Sequence, residues 1–279
     1  MELLLQDTNF TLIIEAGKNK KQYFKDIWHY RELFYFLAWR DILVRYKQTV
    51  IGILWVIIRP LLTMIVFTVI FGKIAKLPSE GVPYPLLVFS AMLPWQFFSN
   101  ALLDSSNSLI GNANMISKVY FPRLVMPTSA VIVSFADFVI SFSILIMVMI
   151  WYRFTPSLNI LFLPFFIFIT FMAALGAGLF LCALNVKYRD FRYVVPFVIQ
   201  LGLYISPVGF SSHIVPENYK LLYALNPMVG VIDGFRWALL GNTPLYIPGL
   251  LASLLTVFFI FISGLWYFRK TEKDFADVI

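Results

Sequence analysis

Long uncharged apolar stretches alternate along this chain with short basic ones, and the lengths of the apolar stretches predict its architecture. A bilayer hydrocarbon core of roughly 30 Å needs about 20 apolar residues in a helix to cross it. Six stretches qualify: 50–72, 84–103, 124–152, 158–186, 193–210 and 245–268. Only two charged residues fall inside them, Arg59 and Asp137. Prolines and glycines within the runs (Pro60, Pro94, Gly176, Gly178, Pro196, Pro207) are tolerated in such helices, because neighbouring helices satisfy the freed backbone groups. The pattern predicts an all-α membrane protein with six transmembrane helices.

Two segments depart from it. Residues 23–47 are rich in aromatics but interrupted by charge. Phe24, Ile27, Trp28, Phe34, Leu37 and Ala38 share much of one helical face, which Lys25, Asp26, His29, Glu32 and Arg40 largely avoid. This predicts an amphipathic helix lying in the membrane interface, with its rings at headgroup depth. The alternative, a solvated helix packed on a partner, is compatible with it. The second segment is 211–244. Its middle is long enough to cross, yet it holds Asn226-Pro227, Gly230, Asp233, Gly234 and Arg236. A re-entrant pair of short helices on the outer side accommodates these, since broken helices at membrane depth occur where protein or a water-filled cavity surrounds them.

Composition agrees with the pattern. Hydrophobic residues make up 60% and charged residues 13%, whereas a soluble domain is nearer half apolar and a quarter charged. The net charge of +7 lies in clusters beside the apolar runs, where membrane orientation accounts for it without nucleic acid. With residue 1 on the cytoplasmic side, sixteen lysines and arginines fall on that side and five on the other, Arg59 aside. The positive-inside rule then puts both termini in the cytoplasm. The expected organisation is a cytoplasmic N-terminus with the interfacial helix (1–48), one transmembrane domain (49–270) and a cytoplasmic tail (271–279) in an inner-type membrane. No cleavable signal peptide is expected, because the first residues are polar and charged. The sequon at Asn9 falls on the cytoplasmic side.

Enzyme chemistry finds little support. His29 and His213 fall on opposite sides of the membrane, Cys182 is the single cysteine, and no carboxylate cluster lies in the spans. No catalytic residue, metal site or bound cofactor is therefore expected. No G-x-x-x-x-G-K-[ST] loop occurs, so energy must come from a gradient or a partner. Gradient-driven carriers carry intramembrane relay carboxylates, and Asp137 alone is poor provision, which favours an ATPase partner.

Intramembrane charges are functional candidates by default. Arg59 and Asp137 lie roughly 14 and 20 Å from the cytoplasmic ends of their spans at 1.5 Å per residue. A cross-helix pair between them is expected, either fixing helix packing or lining and gating a channel. Aromatics of the outer half (Trp95, Phe98, Tyr204, Phe210, Tyr223, Phe235 and Trp237) are anchors first. Presented to a watery passage, such rings would suit the C–H faces of sugars.

Several motifs carry a resemblance. Gly52-Ile53-Leu54-Trp55, Arg59-Pro60-Leu61-Leu62 and Val69-Ile70-Phe71-Gly72 resemble the first-span signature of the type-2 ABC exporter permeases. The stretches 114–127 (NMISKVYFPRLVMP), 185–193 (NVKYRDFRY) and 225–235 (LNPMVGVIDGF) are similar to the branch that exports O-antigen, capsule and teichoic acid. Arg59 departs from the uncharged residue expected before the proline. The resemblance covers the chain from about residue 23 onward. It implies a permease homodimer with two copies of a separate ATP-binding subunit, which holds ATP and magnesium. It also implies a lipid-linked polysaccharide substrate, O-antigen foremost. The cytoplasmic stretches 106–119 and 186–192 match the ATPase-docking loops of the family, with Lys118, Lys187, Arg189, Asp190 and Arg192 as the contacts. The segment 211–244 matches its outer gate. The competing readings are a type-2 permease for a drug or small amphiphile, a membrane enzyme acting on lipid-linked sugars, and a structural scaffold.

Overall fold

A computed structural model describes residues 28–47, 52–119, 121–242 and 244–275. The proposed N-terminal region before Trp28, the start of the first span at 50–51 and the last four residues lie outside the described residues. All regular structure among these is helical. In chain order the helices are α1 (Arg31–Lys47), α2 (Gly52–Phe67, continued by a π-helical stretch Thr68–Ile74), α3 (Tyr84–Gly111), α4 (Ala113–Ile116), α5 (Val125–Trp151), α6 (Leu163–Lys187, preceded by a 3-10 turn Leu158–Phe162), α7 (Phe191–Ile205), α8 (Glu217–Tyr223), α9 (Pro227–Leu240) and α10 (Ile247–Thr271).

Five helical stretches are long and apolar enough to cross a bilayer: 54–74, 84–111, 125–151, 158–187 and 247–274. The fifth expected span is present as α7, an apolar helix of 15 residues that rises about 22 Å and leaves 206–210 as irregular chain. Likewise 211–240 does not form one long helix. It is divided into a 3-10 turn, α8 and the 14-residue α9.

Helix α3 is the hub, packing on α5, α6, α9, α2 and α7. It is the least apolar of the long helices and the most enclosed, with 78% of its window buried against 17% for α2 and 22% for the α10 stretch. This inversion of the soluble rule is expected where apolar surface has no reason to hide. Polar groups (Ser90, Ser99, Ser105, Ser106, Ser108) turn inward and hydrocarbon is left outside.

Close helix approach depends on small residues. A Cβ on Gly264 of α10 would lie 2.0 Å from the carbonyl oxygen of Gly176 on α6, so both glycines are required for this crossing. Helix α9 has a complete set of local signals. The Asn226 side chain accepts from the Met228 amide, Pro227 occupies the first turn, and Gly241 closes the helix with φ of 69°.

Candidate functional site

One polar station is built around Arg45. Near the end of α1 its guanidinium reaches Asp104 of α3 at 2.7 Å and Asp137 of α5 at 2.5 Å. Tyr46, the next residue, donates its hydroxyl to the other oxygen of Asp137, and Ser134 donates to Asp104 at 3.3 Å. Burial pushes the Tyr46 phenol above its ordinary range, and its bond to Asp137 adds to this. One cation and one phenol thus hold two carboxylates on different helices, tying α1 to the inner ends of α3 and α5. Arg40, one turn earlier, donates to Asn112 just beyond α3 at 3.2 Å.

The expected Arg59–Asp137 pair is not formed. Arg59 is exposed on α2, and none of the ion pairs among the described residues involves it. Asp137 is taken by Arg45 and Tyr46 instead, because α1 turns its carboxyl end in between α3 and α5. Asp104 escaped the sequence reading because α3 continues as helix beyond 103, which places this charge within it.

At the same end of the bundle, Asn185 of α6 donates to the carbonyl of Ser106 at 3.0 Å and to Asn107 Oδ1 at 3.1 Å. This clamps together the helix ends from which 106–119 and 186–192 emerge. Lys187, Arg189, Asp190 and Arg192 are exposed around the break between α6 and α7, and Lys118 is exposed after α4. The Lys187 ammonium sits 5.3 Å from the Tyr188 ring. The tail joins this surface. The Arg123 amide donates to Glu272 Oε1 at 3.0 Å, its guanidinium donates to the Glu272 carbonyl, and Phe275 is buried against Phe268. Nothing in the composition of a short charged tail signalled this docking.

A second polar station is organised by Arg236. This guanidinium is 4% exposed and donates to three backbone carbonyls: Leu87 at 3.2 Å, Phe210 at 2.8 Å and Val208 at 3.2 Å. Tyr84 donates to the Gly209 carbonyl at 2.6 Å, Tyr223 to that of Ile205 at 2.8 Å, and the Asn226 amide to Ser206 Oγ at 3.0 Å. The freed carbonyls at the end of the broken helix α7 are therefore satisfied by side chains, as burial in an apolar surrounding demands. On the sequence Arg236 counted as an outer-side charge and as one of the signs that 211–244 is broken, not as the brace of a station. A lone arginine in an otherwise apolar run was the available signal.

The aromatic candidates divide. Phe235 is fully enclosed and meets Phe138 edge-on at 6.2 Å. Trp95, 5% exposed, packs over Gly202 of α7, with Phe98 beside it at 5.8 Å. Trp237 packs tilted against Phe162 at 5.5 Å and edge-on to Phe166 at 6.5 Å. Phe235 and Trp95 lie in the core of the single chain, and Phe98 and Trp237 pack half-buried against it. Phe210 and Tyr223 are half-buried, while Tyr204 stands 62% exposed on α7. Among the described residues no group of three or more His, Cys, Asp or Glu is placed to hold a metal ion.

The family model for the ABC-2 type transporter matches residues 32–240. The chain is 30% identical over 241 residues to the O-antigen export system permease protein RfbA of Klebsiella pneumoniae, covering 86% of this chain and 92% of that protein. It is 28% identical over 215 residues to the protein of the same name from Myxococcus xanthus, covering 76% and 82%. It is also 24% identical over 242 residues to the polysialic acid transport protein KpsM of Escherichia coli, covering 84% and 91%.

Proposed function

This chain belongs to the ABC-2 type transporter family, and we propose from that membership that it is the transmembrane permease subunit of an ATP-driven exporter of a lipid-linked polysaccharide, O-antigen foremost. The observation that carries this reading is the similarity to O-antigen export permeases along nearly the whole chain. It is supported by the absence of a nucleotide-binding loop from the sequence. ATP and magnesium are then held by a separate ATPase subunit, two copies of which serve a permease homodimer. The chain itself is no enzyme.

In this reading the chain crosses the inner membrane six times, α7 with the irregular 206–210 making the fifth crossing, and both ends are cytoplasmic. Helix α1 lies in the inner interface. Helices α8 and α9 form a re-entrant gate at the outer face, braced by Arg236. The exposed cluster Lys187, Arg189, Asp190 and Arg192, with Lys118, receives the ATPase. Asn185 at its base passes motion into α3 through Ser106 and Asn107, and α3 touches most other helices. The polymer passes between two copies along the open faces of α2 and α7, where Arg59 and Tyr204 are exposed.

Deletion of the gene followed by localisation of polymer tests the reading. Lipid-linked polysaccharide is expected to accumulate in the cytoplasm. Normal surface polymer would overturn the proposal.

A further inference from the structure

An amide just ahead of α5 and a carbonyl at the end of α10 are satisfied across the two helices. No side chain caps α5 locally. Instead Glu272, which ends α10, accepts from the Arg123 amide at 3.0 Å, and the Arg123 guanidinium donates to the Glu272 carbonyl. A carboxylate thus stands at a helix N-terminus and a cation at a helix C-terminus, the sense that each terminal dipole favours. Beyond it the chain turns through Glu272–Asp274 and buries Phe275, 2% exposed, edge-on to Phe268 at 5.3 Å. The Arg123 guanidinium stands 6.0 Å from that ring. Residues 272–275 are therefore fastened at both ends, while Lys273 and Asp274 between them are exposed.

What this fastening holds is the far end of 112–123. At the near end, Asn112 donates to the Ser108 carbonyl at 2.9 Å and accepts from Arg40 of α1 at 3.2 Å. Between the two anchors lies α4, four residues long. A single helical turn does not hold its own shape in water. Ile116 is buried in the core and Phe121 is buried beside the Arg123 anchor, whereas Ser117, Lys118 and Val119 form an exposed crest. The position of that crest is set by its anchors, and the tail supplies the second of them.

We propose that residues 272–275 are a strap that positions the stretch 113–119 for the partner ATPase, with Glu272 as its positioning residue. This rests on the reading of 106–119 as an ATPase-docking stretch. Neither Glu272 nor Phe275 touches the partner in this arrangement. Holding the crest in one geometry before contact spares the complex the ordering cost of a loose loop. It also passes force on the crest into α5 and α10 as well as α3.

The test uses the full-length permease in nanodiscs and the purified ATP-binding subunit of the same transporter, with hydrogen exchange measured on the permease alone. Glu272→Ala is expected to speed amide exchange across 113–119 and to weaken binding of the ATPase about tenfold, the ordering cost of roughly one backbone residue. Glu272→Gln keeps an oxygen for the Arg123 amide and should restore most of both. Lys273→Ala, on the exposed part of the strap, should change neither. The loss in Glu272→Ala should also shrink in a Lys118→Ala background, because the strap acts through the crest. A role in stability alone would lower the melting temperature and show no such coupling. Wild-type exchange across 113–119, wild-type binding, or additivity with Lys118→Ala would each overturn the strap. A loss in Lys273→Ala as large as that in Glu272→Ala would make the tail itself the docking surface and overturn it too. If the wild-type permease binds no ATPase, the exporter reading itself fails and the docking role with it, whatever the exchange rates.

Discussion

Arg45 Nη1 lies 2.5 Å from Asp137 Oδ2 and, through its other terminal nitrogen, 2.7 Å from Asp104. A side chain that precedes the first span thereby neutralises two carboxylates carried by the second and third. Removing the arginine leaves two uncompensated anions close together. Arg45→Ala is expected to lower stability by about 2–4 kcal/mol, below the fully buried limit because Arg45 is partly exposed. In thermal unfolding in detergent, Arg45→Gln combined with Asp137→Asn should cost less than the sum of the two single changes. Additive losses would show that the two residues do not interact.

Tyr46 gives the same cluster a dependence on pH. Its phenol is raised above the ordinary value near 10 by burial and by Asp137. The native state therefore holds its proton more tightly than the unfolded state. The stabilisation is complete below about pH 10 and declines as pH rises above it. Wild-type unfolding temperature should fall more steeply above about pH 10 than that of Tyr46→Phe. Parallel profiles would remove Tyr46 from the cluster.

At the second polar station, Arg236 makes three carbonyl contacts that a planar fork satisfies and an ammonium does not. Arg236→Ala is expected to cost about 3–5 kcal/mol. Arg236→Lys should recover less than half of it. Limited proteolysis from the outer face should then cut within 206–226, and an uncut lysine variant with wild-type stability would contradict the role.

The α6–α10 crossing admits no side chain at Gly264, where a Cβ would meet the Gly176 carbonyl at 2.0 Å. Gly264→Val should force the helices apart and lower stability by about 2–4 kcal/mol. Gly111→Ala, where nothing lies within 4 Å, should be nearly neutral in the same melting experiment.

At the exposed break between α6 and α7, Asp190→Ala is expected to insert normally and to lose most of the stimulation of the proposed partner ATPase by substrate. Stimulation at the wild-type level would exclude Asp190 from the coupling surface.

How far the sequence spoke for itself varied with the physics involved. Apolar run length predicted the long helices closely, because bilayer thickness imposes it, and the helix boundaries at Tyr84 and near Leu158 follow local signals such as Pro83 and Ser157. The intervening 211–240 was legible as broken chain from Asn226-Pro227 and the glycines. Pairing was not legible. Arg59 and Asp137 stood out as the charges inside apolar runs, yet the partner of Asp137 came from α1, which hydropathy places outside the spans. Charge position along a helix gives depth but not azimuth. Arg236 shows the same limit, because its acceptors are backbone carbonyls that no side-chain pattern encodes. Phe235 and Trp95 were picked for their rings, and their packing against Phe138 and over Gly202 is contact that ring content alone does not predict.

The central claim is that this chain, with an ATPase subunit, moves a lipid-linked polysaccharide across the membrane. Co-reconstitution of both subunits in vesicles, with polymer loaded on the ATPase side, measures this directly. The account predicts ATP-dependent transfer of polymer to the interior, lost when either subunit is omitted. Polymer that stays outside while both subunits are present and ATP is hydrolysed would contradict it.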